Sequence, residues 1–232
     1  MKAGWRVVPL GDVCTVVNGG TPRSNVAIYW GGDVNWLTPK DMGQMSGRHI
    51  AETPRKVTEK GLANCSARLV PAGSVIMSTR APIGHLAIND LPMAFNQGCR
   101  GMIPETNLDP VFLFHFLSAS TEVLNDLGTG TTFKELSATA LRAFPIPLPP
   151  LDEQKRIVAV LDEAFEGLSR ARTNAAANLA DARELFAAKT TLALTKKEGW
   201  HEANLSELCD LITDGTHQTP KYFDTGFVFL SA

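Results

Sequence analysis

The residue types that most often perform catalysis are few in this chain and are not grouped in a catalytic pattern. Five histidines are spread along the sequence (His49, His85, His115, His201 and His217), and no two of them have the H-x-x-x-H or H-E-x-x-H spacing of a zinc enzyme. The sequence contains no G-x-S-x-G nucleophile elbow and neither of the common glycine-rich phosphate-binding loops. We therefore predict that the chain is not an enzyme, and that His115, on an apolar helical stretch, is a core residue.

The four cysteines indicate a reducing environment and no metal. They occur singly along the chain, without a C-x-x-C pair (Cys14, Cys65, Cys99 and Cys209). Such spacing is atypical of a zinc site or a disulfide framework. The N-terminus lacks the apolar segment of a secretory signal, and no run of 18 apolar residues occurs. The sequence thus predicts a cytoplasmic protein with no cofactor and no metal of its own.

The net charge of −2 conceals an uneven distribution. Residues 1–150 carry 13 basic and 11 acidic side chains, residues 151–198 carry eight of each, and residues 199–232 carry one basic and five acidic. The first part, with a net charge of +2, is compatible with nucleic-acid binding but does not demonstrate it, because the charge on one face decides the interaction.

The first 150 residues have the turn signals of an α+β domain with a curled β-sheet. Gly, Pro, Asn and Ser separate short runs of Val, Ile and Met, which predicts a strand at Ser74–Ser78, a turn at Pro82–Gly84 and a strand at His85–Ile88. Helices are predicted at about Thr58–Asn64 and Pro110–Asn125.

The segment after the proline-rich FPIPLPPL (144–151) predicts one long helix, which we place at residues 151–198. Stepping alternately by three and four residues from Val158 to Ala193 meets nine apolar residues in eleven positions. This period of 3.5 is that of a coiled-coil seam. About 45 residues make a helix roughly 65 to 70 Å long.

An apolar seam of this length requires a second helix of similar length to cover it. Each large apolar side chain left in water costs roughly 1.5 to 3 kcal/mol. The predicted seam for pairing with a second helix consists of eight residues: Val158, Leu161, Phe165, Leu168, Ala175, Leu179, Ala182 and Phe186. We interpret the exposed helix charges, among them Asp162, Glu163 and Arg170, as a solvated face.

The chain also contains an internal repeat. Residues 4–21 and 199–216 share six identities in eighteen positions at a shift of 195, among them Trp5/Trp200, Leu10/Leu205 and Cys14/Cys209. A period of that length exceeds the usual size of one domain. It therefore indicates a domain with its connector, followed by the start of a second copy.

Four stretches resemble the specificity subunits of Type I restriction-modification systems. They are NGGTPRSNVAIYWGGDVNWLTPKDM (18–42), VIMSTRAPIGHLAI (75–88), TGTTFKELSATALRAFPIPLPPLDEQKRIVAVLDE (129–163) and DGTHQTPKYFDTGFVFLSA (214–232). The resemblance implies a target-recognition domain at 1–150, a spacer helix at 151–198 and the truncated start of a second recognition domain at 199–232.

Functionally, the resemblance implies a chain that reads one half of a split DNA target and docks methyltransferase and endonuclease subunits. S-adenosylmethionine, ATP and Mg²⁺ would then be cofactors of the partner subunits. We expect two copies to pair through antiparallel helices as a homodimer. An alternative is a decoy half-subunit, which binds the methyltransferase without directing it to DNA.

DNA recognition requires phosphate contacts and base contacts. Side chains in turn segments are the candidate phosphate contacts: Thr21, Arg23, Ser24, Lys40, Arg80, Thr131, Thr132 and Lys134. Arginine matches guanine, and asparagine or glutamine matches adenine. These pairings give the candidate base contacts Arg80, Asn96, Gln97 and Arg100.

Overall fold

The structure is a computed structural model, and it describes residues 4–80, 82–130, 134–195 and 197–210. The chain forms two compact units, Met1–Ala171 and Arg172–Ala232. Every β-strand of the described residues lies in the first unit.

Ten strands and seven α-helices make up the described part of the chain. The strands are β1 (Arg6–Pro9), β2 (Cys14–Asn18), β3 (Trp30–Leu37), β4 (His49–Ile50), β5 (Lys56–Val57), β6 (Val75–Thr79), β7 (Ile83–Asn89), β8 (Met93–Phe95), β9 (Cys99–Pro104) and β10 (Pro145–Leu148). The helices are α1 (Pro39–Met42), α2 (Glu59–Ala63), α3 (Pro110–Ala119), α4 (Thr121–Asp126), α5 (Ala138–Ala143), α6 (Leu151–Leu194) and α7 (Leu205–Leu208). Two 3-10 turns lie at Leu10–Asp12 and Ala27–Tyr29.

The strands form three sheets, which confirms the α+β class. The largest has the order β2-β9-β6-β7-β4, in which only β4 and β7 run parallel. A three-stranded sheet, β5-β3-β8, and the antiparallel pair β1-β10 complete the described set. The strands predicted at Ser74–Ser78 and His85–Ile88 are confirmed as β6 and β7, but β7 begins at Ile83, so two residues of the predicted turn, Ile83 and Gly84, belong to the strand.

The central strand β6 separates two apolar clusters. Successive side chains of a strand point to opposite faces of the sheet. Val75 and Met77 accordingly pack in the cluster formed with α3, whereas Ile76 packs with Leu37 and Phe95 on the other face. Because both faces are covered, all five residues of β6 are buried, including Ser78 and Thr79.

The helix predicted over Pro110–Asn125 is divided into α3 and α4 at Ser120. The Ser120 hydroxyl donates to the Phe116 carbonyl at 2.8 Å, and its backbone leaves helical geometry at φ −96° and ψ 7°. A serine that bonds to the preceding turn is a known cause of a helix bend.

The long helix is confirmed as α6, with 44 residues. It ends at Leu194, four residues before the predicted boundary, and Gly199 has a positive φ of 88° outside it. None of the helices in the described ranges is both long and apolar enough to cross a membrane.

Candidate nucleic-acid interface

Contacts within the first unit join four segments that carry candidate residues. The Thr21 hydroxyl donates to Gln97 Oε1. Arg100 Nη1 donates to the Gln97 and Cys99 carbonyls at 3.0 Å each. The carboxylate of Glu135 lies 3.5 Å from Arg100 Nη2 and 3.6 Å from Arg80 Nη1. One continuous network therefore links the turn after β2, the turn before β9, the end of β6 and the loop after α4.

The turn after β2 requires glycine. A Cβ at Gly19 would lie 1.9 Å from the Asn96 carbonyl oxygen, so only glycine permits this approach. The Gly20 amide donates to the Phe95 carbonyl at 2.9 Å, and the Trp36 indole donates to the Gly20 carbonyl at 3.0 Å. These bonds fix the position from which Thr21 reaches Gln97.

The turn before β9 is held by the side chain of Asn96. Its Oδ1 accepts from the Gly98 amide at 3.0 Å and from the Cys99 thiol at 3.4 Å. This is the geometry with which asparagine stabilises turns. The amide oxygen of Asn96 is thus engaged within the turn, whereas Gln97 is exposed.

The two arginines at Glu135 have different surroundings. The Arg100 side chain is 12% exposed and bonds two carbonyl groups, so it braces the turn. The Arg80 side chain is 45% exposed, and its guanidinium group contacts the Glu135 carboxylate. Since an exposed ion pair contributes little free energy, a phosphate or a guanine edge can replace Glu135 as the partner of Arg80.

Glu135 is placed by backbone pairing. Its amide donates to the Thr129 carbonyl at 2.8 Å, and the next amide, that of Leu136, donates to the Thr79 carbonyl at 2.9 Å. The loop between Thr129 and Glu135 is therefore closed at its base beside Arg80. Thr131 and Thr132, two predicted phosphate contacts, lie outside the described residues.

The remaining candidates are exposed around this network. Arg23 and Ser24 follow Thr21 along the same turn, and Lys40 is exposed on α1. Asp41, next to Lys40, forms a capping box with Thr38. The ammonium group of Lys134 donates to the Asn125 carbonyl at 3.3 Å and lies 3.9 Å from Asp126.

A second basic surface, which the sequence analysis did not single out, adjoins the turn after β2. It is a cavity of about 550 Å³ lined by Thr15, Val16, Val17, Asn18, Cys65, Ser66, Ala67, Arg68 and Arg142. Arg142 donates to the Val16 carbonyl at 3.2 Å. Two guanidinium groups and two hydroxyls, with no carboxylate among these nine described residues, are suited to a phosphate group.

The predicted seam of α6 has two environments. Val158 and Leu161 are half-buried, and Val158 packs against the core of the first unit. The larger side chains that follow are exposed: Phe165 (53%), Leu168 (65%), Leu179 (54%) and Phe186 (73%). Ala175 and Ala182 are exposed as well. Pairing through this seam stays a prediction.

Two polar residues of α6, Gln154 and Asp162, were not identified from the sequence as structural contacts, whereas His115, predicted to be a core residue, is partly buried beside Asp162. Gln154 is fully buried, His115 is 12% exposed, and Asp162 binds Arg48 instead of belonging to a solvated face as predicted. The signal for Gln154 was available, because it is a polar residue of the LDEQ segment on the face of α6 that packs against the first unit.

Comparison with known proteins identifies relatives for most of the chain. The family model described as Type I restriction modification DNA specificity domain matches residues 2–177. The MjaIX specificity subunit of Methanocaldococcus jannaschii is 38% identical over 159 residues, which cover 68% of this chain and 37% of the relative. The EcoR124I/EcoR124II specificity subunit of Escherichia coli is 30% identical over 176 residues, covering 73% and 42% respectively.

Solved structures give the same result. One, titled as the structural basis of complex assembly and conformational transition of the type I R-M system, matches with a TM-score of 0.63 and 29% identity, over 80% of this chain and 44% of its own. The HsdS subunit from Thermoanaerobacter tengcongensis matches with a TM-score of 0.57 and 27% identity, over 73% and 39%. The chain thus spans less than half the length of each of these proteins.

Proposed function

This chain belongs to the family of Type I restriction modification DNA specificity domains, and we propose that it recognises one half of a split DNA target. The observation that carries the proposal is the network from Thr21 through Gln97, Arg100 and Glu135 to Arg80. It supports the proposal because it gathers candidate base contacts and candidate phosphate contacts that are far apart in the sequence. The relatives are named as specificity subunits, which confirms the prediction of a non-catalytic chain.

Within the network, we assign base contacts to Arg80 and Gln97. We assign to Asn96 and Arg100 the role of holding the turn in position. The side chains of Arg80 and Gln97 are exposed, whereas Asn96 Oδ1 and the Arg100 guanidinium group form hydrogen bonds that hold the turn. Lys134, 54% exposed at the base of the loop, is assigned to the phosphates.

Two substitutions distinguish these roles. Arg80→Ala is expected to weaken binding of the cognate half-site by about 1–3 kcal/mol and to relax specificity at one base pair. Lys134→Ala should weaken binding to all sequences alike and reduce the salt slope by about one. Arg170→Ala, which removes an exposed charge from α6, is the matched control. Equal losses on cognate and unrelated duplexes would assign Arg80 to the phosphates instead.

We further propose that two copies pair through α6 in antiparallel orientation. The exposed apolar seam supports pairing, since Leu168, Leu179 and Phe186 otherwise remain in water. The sizes of the seam residues support the orientation. Antiparallel pairing can set the small Ala182 of one helix against the bulky Leu168 of the other, whereas parallel pairing sets small residues against small ones.

Analytical ultracentrifugation tests the pairing. The wild-type chain is expected to sediment as a dimer at micromolar concentration, and Leu179→Asp with Phe186→Asp as a folded monomer. The matched control is Asp181→Asn, an exposed residue of the same helix. A wild-type chain that stays monomeric at micromolar concentration would exclude the homodimer.

The symmetric pair would present two identical recognition surfaces and would dock methyltransferase and endonuclease subunits of a Type I system. Methylation mapping with the cognate methyltransferase supplied should then give a split motif with two identical, inverted halves. An unsplit motif would contradict the paired arrangement. Binding of the methyltransferase without any sequence-specific methylation would instead identify the chain as a decoy.

A further inference from the structure

Arg48 joins the recognition sheet to the long helix. It immediately precedes β4, and its carbonyl accepts from the Ile88 amide at 2.7 Å, which ties its backbone to the five-stranded sheet. Its two terminal nitrogens donate to the two carboxylate oxygens of Asp162 on α6, the Nη2–Oδ2 bond measuring 2.9 Å. A bidentate pair of this kind fixes the direction of approach as well as the distance.

His115 adds contacts to the same part of α6. Its Nε2 lies 3.5 Å from Asp162 Oδ1. Its ring stacks on Phe165, one helical turn further on, with the centroids 5.7 Å apart and the planes 10° from parallel. Since His115 belongs to α3, residues 162–165 of α6 are held both by the sheet and by a helix that packs on it.

Gln154 provides a separate attachment at the start of α6. Its Oε1 accepts from the Asp109 amide at 2.8 Å, and its Nε2 donates to the Asn107 and Pro149 carbonyls at 2.9 Å each. Eight residues separate Gln154 from Asp162, about 12 Å along the helix axis. A rod held at two points that far apart cannot pivot as freely as one held at a single point.

We propose that Arg48 is a positioning residue that sets the angle between the recognition sheet and the first part of α6, and thereby the spacing between the two half-sites. This inference rests on the proposed pairing through α6. A pivot of about 13° moves a point about 15 Å away, the expected radius of gyration of a 150-residue domain, by about 3.4 Å. That displacement equals one base-pair step. A pivot of this size in the absence of the second attachment would let the pair accept spacers that are one base pair shorter or longer.

Spacer preference tests the role of Arg48. The full chain, with its methyltransferase subunit, is titrated with duplexes that carry two half-sites separated by spacers up to three base pairs shorter or longer than the mapped one. Wild type is expected to prefer one spacer at least tenfold. Arg48→Ala should lower that ratio at least threefold and leave the preference for the half-site sequence unchanged. Arg48→Lys should lie between them, because an ammonium group cannot make the bidentate contact.

Two further variants complete the comparison. Arg170→Ala, which removes another α6 ion pair with 70% exposed partners, should retain the wild-type ratio. Asp162→Ala should reproduce Arg48→Ala, and it replaces that variant if Arg48→Ala does not fold. An unchanged spacer ratio in folded Arg48→Ala or Asp162→Ala overturns the inference. A wild-type chain that ignores spacer length overturns the proposed split recognition itself, which is a distinguishable outcome.

Discussion

The two copies of the internal repeat share residues but not surroundings. In the first copy Leu10 is fully buried and Cys14 is 3% exposed. In the second copy, which the structure describes as far as residue 210, the equivalent Leu205 is 69% exposed and Cys209 is exposed. Both leucines nevertheless begin one turn of helix, Leu10–Asp12 and Leu205–Leu208. The local sequence therefore favours a helical turn in both copies, whereas the burial of the leucine depends on packing partners from elsewhere in the chain.

In the first copy, the residues that bury Leu10 are distant from it in the sequence. Leu10 packs in a cluster with Leu113, Leu141 and Ile146, and its amide donates to the Phe144 carbonyl at 2.8 Å. Its partners lie more than 100 positions along the chain. Leu205, at the equivalent position of the second copy, is exposed and belongs to none of the apolar clusters of the described residues.

The largest expected difference between the copies is in stability. Leu10→Ala should lower the free energy of unfolding by about 2–5 kcal/mol, because it leaves a cavity in a closed core. Leu205→Ala should change it by less than about 0.5 kcal/mol. Urea denaturation of the two variants measures both values. Equal losses would show that Leu205 is buried in solution.

The reactivity of the equivalent thiols, Cys14 and Cys209, compares the two copies without a mutation. Burial, reinforced by the charge of Glu105, raises the pKa of Cys14 to about 12. Only the thiolate reacts with iodoacetamide, so Cys14 should be alkylated at least about 100-fold more slowly than Cys209 at pH 8. Mass spectrometry of the labelled peptides gives the rates. Cys99, whose pKa is also raised by burial, serves as a second slow site.

The same contrast between buried and exposed positions recurs along α6. Gln154→Ala removes the partner of one amide and two carbonyls, and it should cost about 1–3 kcal/mol of unfolding free energy. Asn178→Ala, an exposed amide on the same helix, should cost less than about 0.5 kcal/mol. Thermal denaturation compares them. A neutral Gln154→Ala would mean that the start of α6 is not fixed by this side chain.

The smallest expected effect is that of the ion pair between Arg48 and Asp162. The hydrogen bond from Arg48 lowers the pKa of Asp162, so the carboxylate stabilises the folded state at pH values above its ordinary pKa of 3.8. This contribution is lost as the pH falls through the lowered value. Because the pair is partly exposed, Asp162→Asn should cost less than about 1 kcal/mol at pH 7 and nothing below the lowered pKa.

Stability curves of wild type, Asp162→Asn and the exposed Glu166→Gln between pH 2 and 7 measure this effect. The difference between wild type and Asp162→Asn should disappear at the acidic end. A difference that persists there would mean that the side chain acts through packing and not through its charge.

Patterns of short range were predictable. The strands β6 and β7 and the continuous helix after the proline-rich segment depend on residues close in sequence. The division of the helix at Ser120 was not predicted, since a serine is compatible with either outcome. The sequence predicted which residues of the turns are candidates for DNA contacts, but it did not predict the contacts that join these residues in a network. Glu135, which joins Arg80 and Arg100, has no local signature that separates it from any other exposed carboxylate.

Motifs and periodicity were sufficient to predict the family, the α+β class and a long helix with an apolar stripe. The folded coordinates were needed to show that Arg100 braces a turn while Arg80 is exposed, and that Asp162 binds Arg48 across 114 positions. Side-chain roles of this kind follow from which groups the folded backbone brings within hydrogen-bonding distance, and that proximity is not encoded in residue type or local spacing.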